Sequence, residues 1–256
     1  MIHPQAIIET GAQIGENVTI GPWTYIGKDV VIGDNCQINS HVVIKGPTRI
    51  GKGNRFFQFA SIGEECQDLK YDDEPTELVI GDNNTFRESC TIHRGTIQDN
   101  SLTEIGSHNL FMAYSHVAHD CIIGDNCIMA NNATIGGHVH LGDYVIIGGM
   151  SCIHQFCHIG SHSFIAANTF VPKDVPAFVM ASGSPAKPFG LNSEGLKRRG
   201  FDKDTIANIK RAYKQVYRKG LTVEEAVASV KTLAEQTPEV NIFTDIVINS
   251  SRGIIR

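Results

Sequence analysis

The chain has 256 residues, a formal net charge of −5, 41% hydrophobic residues and 25 glycines. That length can bury a core in one extended domain plus a small one, and so many glycines imply more turns than a helix bundle uses. Met1-Ile2-His3-Pro4 lacks the basic start and apolar core of a secretion signal, and no apolar run approaches the ~20 residues that cross a bilayer. A cytoplasmic protein without a membrane span is expected.

From Ile8 an aliphatic or aromatic residue returns at every sixth position, through Ile14, Ile20, Ile26, Ile32, Ile38, Ile44, Ile50 and Phe56 to Ile62. The beat resumes at Ile80, Phe86 and Ile92, then at Ile105, and from there runs without a slip to Val171. Neither the helix period nor plain strand alternation gives a beat of six. A hexapeptide repeat is the signature of a parallel β-helix, in which each hexad forms one side of a triangular prism. Interruptions near 63–79 and 93–104 should leave the prism as loops. The first is long, polar and acidic, and a loop of that length is more often functional than filler.

Glycine follows the aliphatic residue in many hexads and is expected to supply positive φ at the corners. Four positions after the aliphatic residue the side chain is small in most hexads. Cys36, Cys66, Cys90, Cys121, Cys127 and Cys157 all take that slot, and only Cys152 does not. Without C-x-x-C spacing they read as buried fillers of a reduced protein. Asn54, Asn84 and Asn109 also occupy the slot, where amide stacks or loop neighbours are expected.

After Val171 the beat dissolves through Pro172, Pro176, Pro185 and Pro188, and from Ser193 the period becomes helical. A helix is expected over 202–220, ended by Arg218-Lys219-Gly220. Thr222 with Glu225 forms a capping box for a second helix to about Gln236, and a third follows Pro238 over 239–250. The expected organisation is a β-helix over 1–186 and a small helical domain over 187–256. Residues 187–256 hold 13 basic and 8 acidic side chains, a balance of +5, against 9 and 19 in the rest. Such a split suits an acidic partner for the tail. A merely solvated set of helices is the plain alternative.

Three hexads make one coil, so residues eighteen apart stack at about 4.8 Å, the spacing of neighbouring strands. The columns Ala118/Gly136/His154, His119/Gly137/Gln155 and Asp120/His138/Phe156 then converge on one corner. His119 is the candidate general base, because imidazole titrates near neutrality and can take a proton from a sugar hydroxyl. Asp120 could orient its ring, although strand neighbours point to opposite sides unless the corner bends. The Gly137 N–H could stabilise an oxyanion formed from a thioester. His138 and His154 could bind phosphate or hydroxyls. A second corner stacks Met112/Ala113, Ala130/Asn131, Gly148/Gly149 and Ala166/Ala167 as a shallow apolar groove, which suits a substrate with a hydrocarbon part. The histidines could instead hold zinc, as in β-helical carbonic anhydrase-like hydratases, but zinc wants three convergent imidazoles.

The segments Gln67-Asp-Leu-Lys-Tyr71, Thr91-Ile-His-Arg-Gly95, His116-Val-Ala-His-Asp-Cys121, Ile147-Gly-Gly-Met150, His154-Gln-Phe156 and Glu194-Gly-Leu-Lys-Arg-Arg-Gly200 occur together. With them the chain strongly resembles the acyl-carrier-protein–UDP-N-acetylglucosamine O-acyltransferases, which start lipid A synthesis in Gram-negative-type bacteria. The resemblance implies a left-handed β-helix and a homotrimer with active sites between subunits. It implies His119 as the base for the glucosamine 3-hydroxyl, Asp120 beside it, and Gly137 as oxyanion donor. Sugar-nucleotide contacts would fall on Asp68, Lys70, His116, His138 and Gln155, with His93 added from a facing subunit. Asn192, Glu194, Arg198 and Arg199 would meet the nucleotide or the carrier. Ala167 would be the acyl-length ruler, favouring a 3-hydroxyacyl chain of middling length. No metal and no cofactor is implied beyond the phosphopantetheine that the acyl carrier protein brings, and no nucleic acid. One departure is Ser184-Pro185, where relatives can carry an Asn-His pair. The nearest rival is the sibling UDP-3-O-acylglucosamine N-acyltransferase, expected to carry an extra N-terminal domain.

Overall fold

The computed structural model describes residues 1–72 and 74–256, so Asp73 of the first interruption lies outside it. The hexads coil into a left-handed parallel β-helix, whose faces are sheets of nine, eight and ten strands. Beyond a bulge between Ile62 and Glu64, register steps from coil to coil without drift: Thr91, His116, Thr134 and Cys152 pair in series, as do Ile92, Val117, Ile135 and Ile153. Each strand puts one beat residue inward, so the core is a column of aliphatic side chains per face. On the third face, Phe56, Phe86 and Phe111 stack with centroids 4.9 and 4.8 Å apart.

The inner slot behaves as its residue types require. The six slot cysteines are buried free thiols and Cys152 is exposed. Buried Asn54, Asn84 and Asn109 form an amide ladder: the Asn84 N–H donates to Asn54 Oδ1 at 2.8 Å, and the Asn109 N–H to Asn84 Oδ1 at 2.8 Å. Backbone donors that the loops would leave unpaired are met there.

The hexad glycines do a different job from the one expected of them. Among the glycines that follow a beat residue, only Gly63 has positive φ, at 71°. The left-handed corner position falls two residues later, on Asn17, Trp23, His41, Tyr114, Asp120, His138 and Phe156 among others. What demands glycine is coil-to-coil proximity: a Cβ on Gly33 would lie 2.7 Å from the Gly51 carbonyl carbon, and one on Gly148 2.5 Å from the Ala167 nitrogen. Left-handed φ costs an L-residue roughly 1–2 kcal/mol. Ladder bonds offset it, as where the His138 N–H donates to the His119 carbonyl at 3.0 Å.

Beyond the last coil, the strand Val179–Ser182 extends the third face and pairs antiparallel with Lys187–Leu191, a hairpin the lost beat did not announce. The expected boundary at 186/187 falls between these two strands. Four helices follow: α1 (Ser193–Arg198), α2 (Lys203–Arg218), α3 (Val223–Gln236) and α4 (Glu239–Asn249). Asp202 caps α2, and Thr222 and Glu225 form the capping box of α3. Buried Asp174 ties the tail to the prism, accepting from the Ser250 hydroxyl at 2.6 Å and the His158 N–H at 2.8 Å.

Candidate active site

Both interruptions leave the prism at the same corner, between the first and second faces. Residues 65–76 join the strands Ser61–Glu64 and Glu77–Ile80, and residues 94–101 join Thr91–His93 and Leu102–Ile105. The next coils turn that corner through 118–121, 136–139 and 154–157. The expected columns are therefore formed, and the second loop lies against them.

Asp120 stands at φ +57°, with its N–H donating to Thr103 Oγ1 at 2.8 Å. This bend brings its Oδ2 to 2.8 Å from His119 Nδ1, although neighbours on a straight strand would diverge. An ionised carboxylate only accepts, so Nδ1 carries the proton and Nε2 is the basic atom of a neutral ring. Thr96 completes the arrangement, its N–H donating to Asp120 Oδ1 at 2.8 Å and its hydroxyl to Oδ2 at 2.6 Å. Burial acts to raise the Asp120 carboxyl, but the bonds from His119 and Thr96 outweigh it and hold it below the usual range.

The His119 ring lies directly on Gly137. A Cβ there would sit 2.5 Å from His119 Cε1 and 2.6 Å from Nε2. The Gly137 carbonyl accepts from the Phe156 N–H at 3.0 Å, while its own N–H has no acceptor among the described residues. A base and an unengaged backbone donor thus stand side by side. His138, also left-handed at φ +61°, stacks on Phe156 with centroids 4.3 Å apart and meets the His119 ring edge-on at 5.0 Å.

On the face that leads into this corner, His116 Nδ1 lies 2.7 Å from Thr91 Oγ1, and buried His93 meets the His116 ring edge-on at 5.1 Å. Burial, reinforced by the neighbouring His116, pushes His93 down to about 4. The unfolded ring protonates near pH 6.5 and the folded one only near 4, so stability is full above about pH 6.5 and is lost as the pH falls towards 4. Half-buried His162, lowered to about 4, acts in the same direction. Thermal unfolding between pH 7.5 and 4.5 should show a falling Tm, and His93→Asn should flatten part of that slope; an unchanged slope would contradict the assignment.

The remaining expected residues are more dispersed. Gln155 is exposed above Gly137. His154 Nδ1 lies 3.0 Å from the Gln155 carbonyl and 3.2 Å from an Arg252 guanidinium nitrogen, with its ring edge near Phe170. The expected convergence of three histidines is thus a pair, His119 and His138, since His154 turns to the C-terminal tail. Zinc would meet two imidazoles and a carboxylate already accepting three hydrogen bonds, not three imidazoles. Asp68 and Lys70 stand exposed on the first loop beside a fully exposed Leu69. Arg94 pins that loop, donating to the Tyr71 hydroxyl at 2.9 Å.

In the tail, buried Asn192 caps α1, accepting from the Gly195 N–H at 3.2 Å and donating to the His162 carbonyl at 2.9 Å. Glu194 pairs with Lys197 at 2.7 Å, and Arg198 is exposed. Arg199 lies over the Tyr144 ring at 5.0 Å and donates to the Tyr144 carbonyl at 3.2 Å. Ala167 is exposed on the groove corner above Gly149. Sequence reasoning missed Thr96, Asp99 and Thr103. The available signal was the second break in the beat, which delivers the 94–101 loop to the corner carrying His119.

Comparison with known proteins gives concordant results. Residues 174–255 match the family described as Udp N-acetylglucosamine O-acyltransferase, domain 2, and residues 102–137 match the bacterial transferase hexapeptide family. The chain is similar to the acyl-[acyl-carrier-protein]–UDP-N-acetylglucosamine O-acyltransferase of Stutzerimonas stutzeri, 54% identical over 256 residues, covering 100% of this chain and 99% of that one. The enzyme of the same name from Pseudomonas putida is 54% identical over 255 residues, with the same coverage. Among solved structures, LpxA from Acinetobacter baumannii superposes with a TM-score of 0.98 at 53% identity, covering 100% of this chain and 99% of that one.

Proposed function

The chain belongs to the acyl-carrier-protein-dependent UDP-N-acetylglucosamine O-acyltransferases of lipid A biosynthesis, and from that premise we propose how its residues divide the work. His119 Nε2 takes the proton from the glucosamine 3-hydroxyl as that oxygen attacks the thioester carbonyl of a 3-hydroxyacyl carrier protein. Asp120 holds the ring in the required tautomer and stabilises the imidazolium. The tetrahedral oxyanion accepts from the Gly137 N–H. Collapse breaks the carbon–sulfur bond, and the phosphopantetheine thiolate leaves with the proton that His119 carried. The observation that carries this reading is the His119 ring held by Asp120 and lying on a glycine whose N–H is unengaged. No metal or further cofactor enters it.

His116, His138 and Gln155 line the sugar-nucleotide side of the corner. Asp68 and Lys70 serve the same substrate, with His93 added from the facing subunit, in a homotrimer. That assembly is supported by exposed apolar corner residues up one edge of the prism, Trp23, Phe59, Tyr114 and Met150. Glu194, Arg198 and Arg199, on and just beyond α1, face the nucleotide or the acidic carrier. The described residues include no helix long and apolar enough to cross a membrane, and we place the enzyme in the cytoplasm.

The groove corner at Ala167 limits the acyl chain. Ala167→Gly should shift preference to longer 3-hydroxyacyl chains and Ala167→Met to shorter ones, read by competition among carrier proteins charged with different lengths. A preference that does not move in either variant overturns the ruler. The reaction itself is tested by incubating charged carrier with UDP-N-acetylglucosamine and locating the acyl group by mass spectrometry.

A further inference from the structure

We propose that Asp99, on the 94–101 loop, is a positioning residue that sets which nitrogen of His138 faces the substrate. Its Oδ2 lies 2.8 Å from His138 Nδ1. A carboxylate only accepts, so Nδ1–H is the donor, and Nε2 is left as the ligand-facing atom. The nearest carboxylate to Nε2 is Asp120, at 3.9 Å, beyond hydrogen-bond reach. Nε2 therefore has no hydrogen-bond partner among the described residues.

The ring's other contacts cannot make this choice. Phe156 stacks on one face of the imidazole within 5° of parallel, and His119 meets it edge-on. A half-turn about the Cβ–Cγ bond leaves a stacked ring in the same plane but exchanges Nδ1 with a carbon. Only a directional partner in that plane distinguishes the two orientations, and Asp99 is that partner. The His138 side chain is 11% exposed and that of Asp99 35% exposed, so the bond stands at the wet edge of the corner and not in the core.

The loop is fixed where Asp99 needs it. Thr96, three residues earlier, donates twice to Asp120, and the Asp99 N–H donates back to the Thr96 carbonyl at 3.3 Å. One loop thus orients both members of the histidine pair, His119 through Asp120 and His138 directly. Thr96 acts on the base; Asp99 acts on the substrate side.

This assignment rests on the O-acyltransferase reading of the same site, and a mutant cycle separates the two. Asp99→Ala should lower kcat/KM for UDP-N-acetylglucosamine about tenfold, the size of one charge-assisted hydrogen bond lost. Asp99→Asn keeps an acceptor for Nδ1–H and should recover most of that loss. In a His138→Ala background Asp99→Ala should cost less than twofold, because the group it orients is gone. An Asp99→Ala loss that persists at full size in the His138→Ala background, or no loss in the single variant, overturns the proposal. His119→Ala run alongside tests the reading beneath it: if that variant keeps its turnover, the site assignment fails independently of Asp99.

Discussion

Gly137→Ala is expected to lower kcat by about 100-fold or more, through a displaced base and a crowded oxyanion donor. Two effects act together. The new methyl would lie 2.5 Å from His119 Cε1 and 2.6 Å from Nε2, so the ring has to leave the place where Asp120 holds it. A displacement of about 1 Å at a reacting group is by itself worth about a hundredfold. The methyl also crowds the N–H that would face the oxyanion. Folding should survive, because Gly137 does not have positive φ and the clash is with a side chain, not with the coil above. The expected signature is a collapsed kcat with a Tm within a few degrees of wild type. A kcat near that of wild type would mean that His119 does not lie on Gly137 during turnover.

The fold was legible because one physical requirement repeats. Every sixth side chain points into the prism, so a beat of six predicts both the coil and the eighteen-residue stacking that puts His119 beside Gly137 and Asp120 beneath His138. The amide ladder of Asn54, Asn84 and Asn109 was legible for the same reason, as a polar residue in an inward slot. Handedness came from resemblance alone, since nothing in the beat distinguishes a left-handed coil from a right-handed one.

What was not legible depends on backbone angles and on segments without a period. The His119–Asp120 bond requires φ +57° at Asp120, and an aspartate does not announce that angle. Glycine misled for a related reason. It looked like the corner residue, whereas the corner angle falls on asparagine, histidine and aromatic residues, held by ladder bonds, and glycine answers the close approach of the next coil. Thr96 and Asp99 were hidden because the 94–101 loop has no repeat from which to place a side chain. Nor could the column and the motif give the partners of His154 and Asn192: the first has Nδ1 near the Gln155 carbonyl and Arg252, and the second caps α1.

His119→Ala tests the central claim most directly. The imidazole places its free nitrogen beside Gly137, and positioned general-base catalysis contributes roughly 100- to 10,000-fold. Asp120 is a poor substitute for it, being 2% exposed and accepting from Thr96 on both oxygens. Removal of the ring also leaves the coil intact, because the His119 carbonyl, not its side chain, accepts the ladder bond from His138. The measurement is the rate of acyl transfer from charged carrier protein to the 3-hydroxyl of UDP-N-acetylglucosamine at saturating substrates, with the oligomeric state checked in parallel. A fall of at least about 100-fold in kcat with an unchanged assembly is the predicted result; turnover within a few fold of wild type would contradict the account.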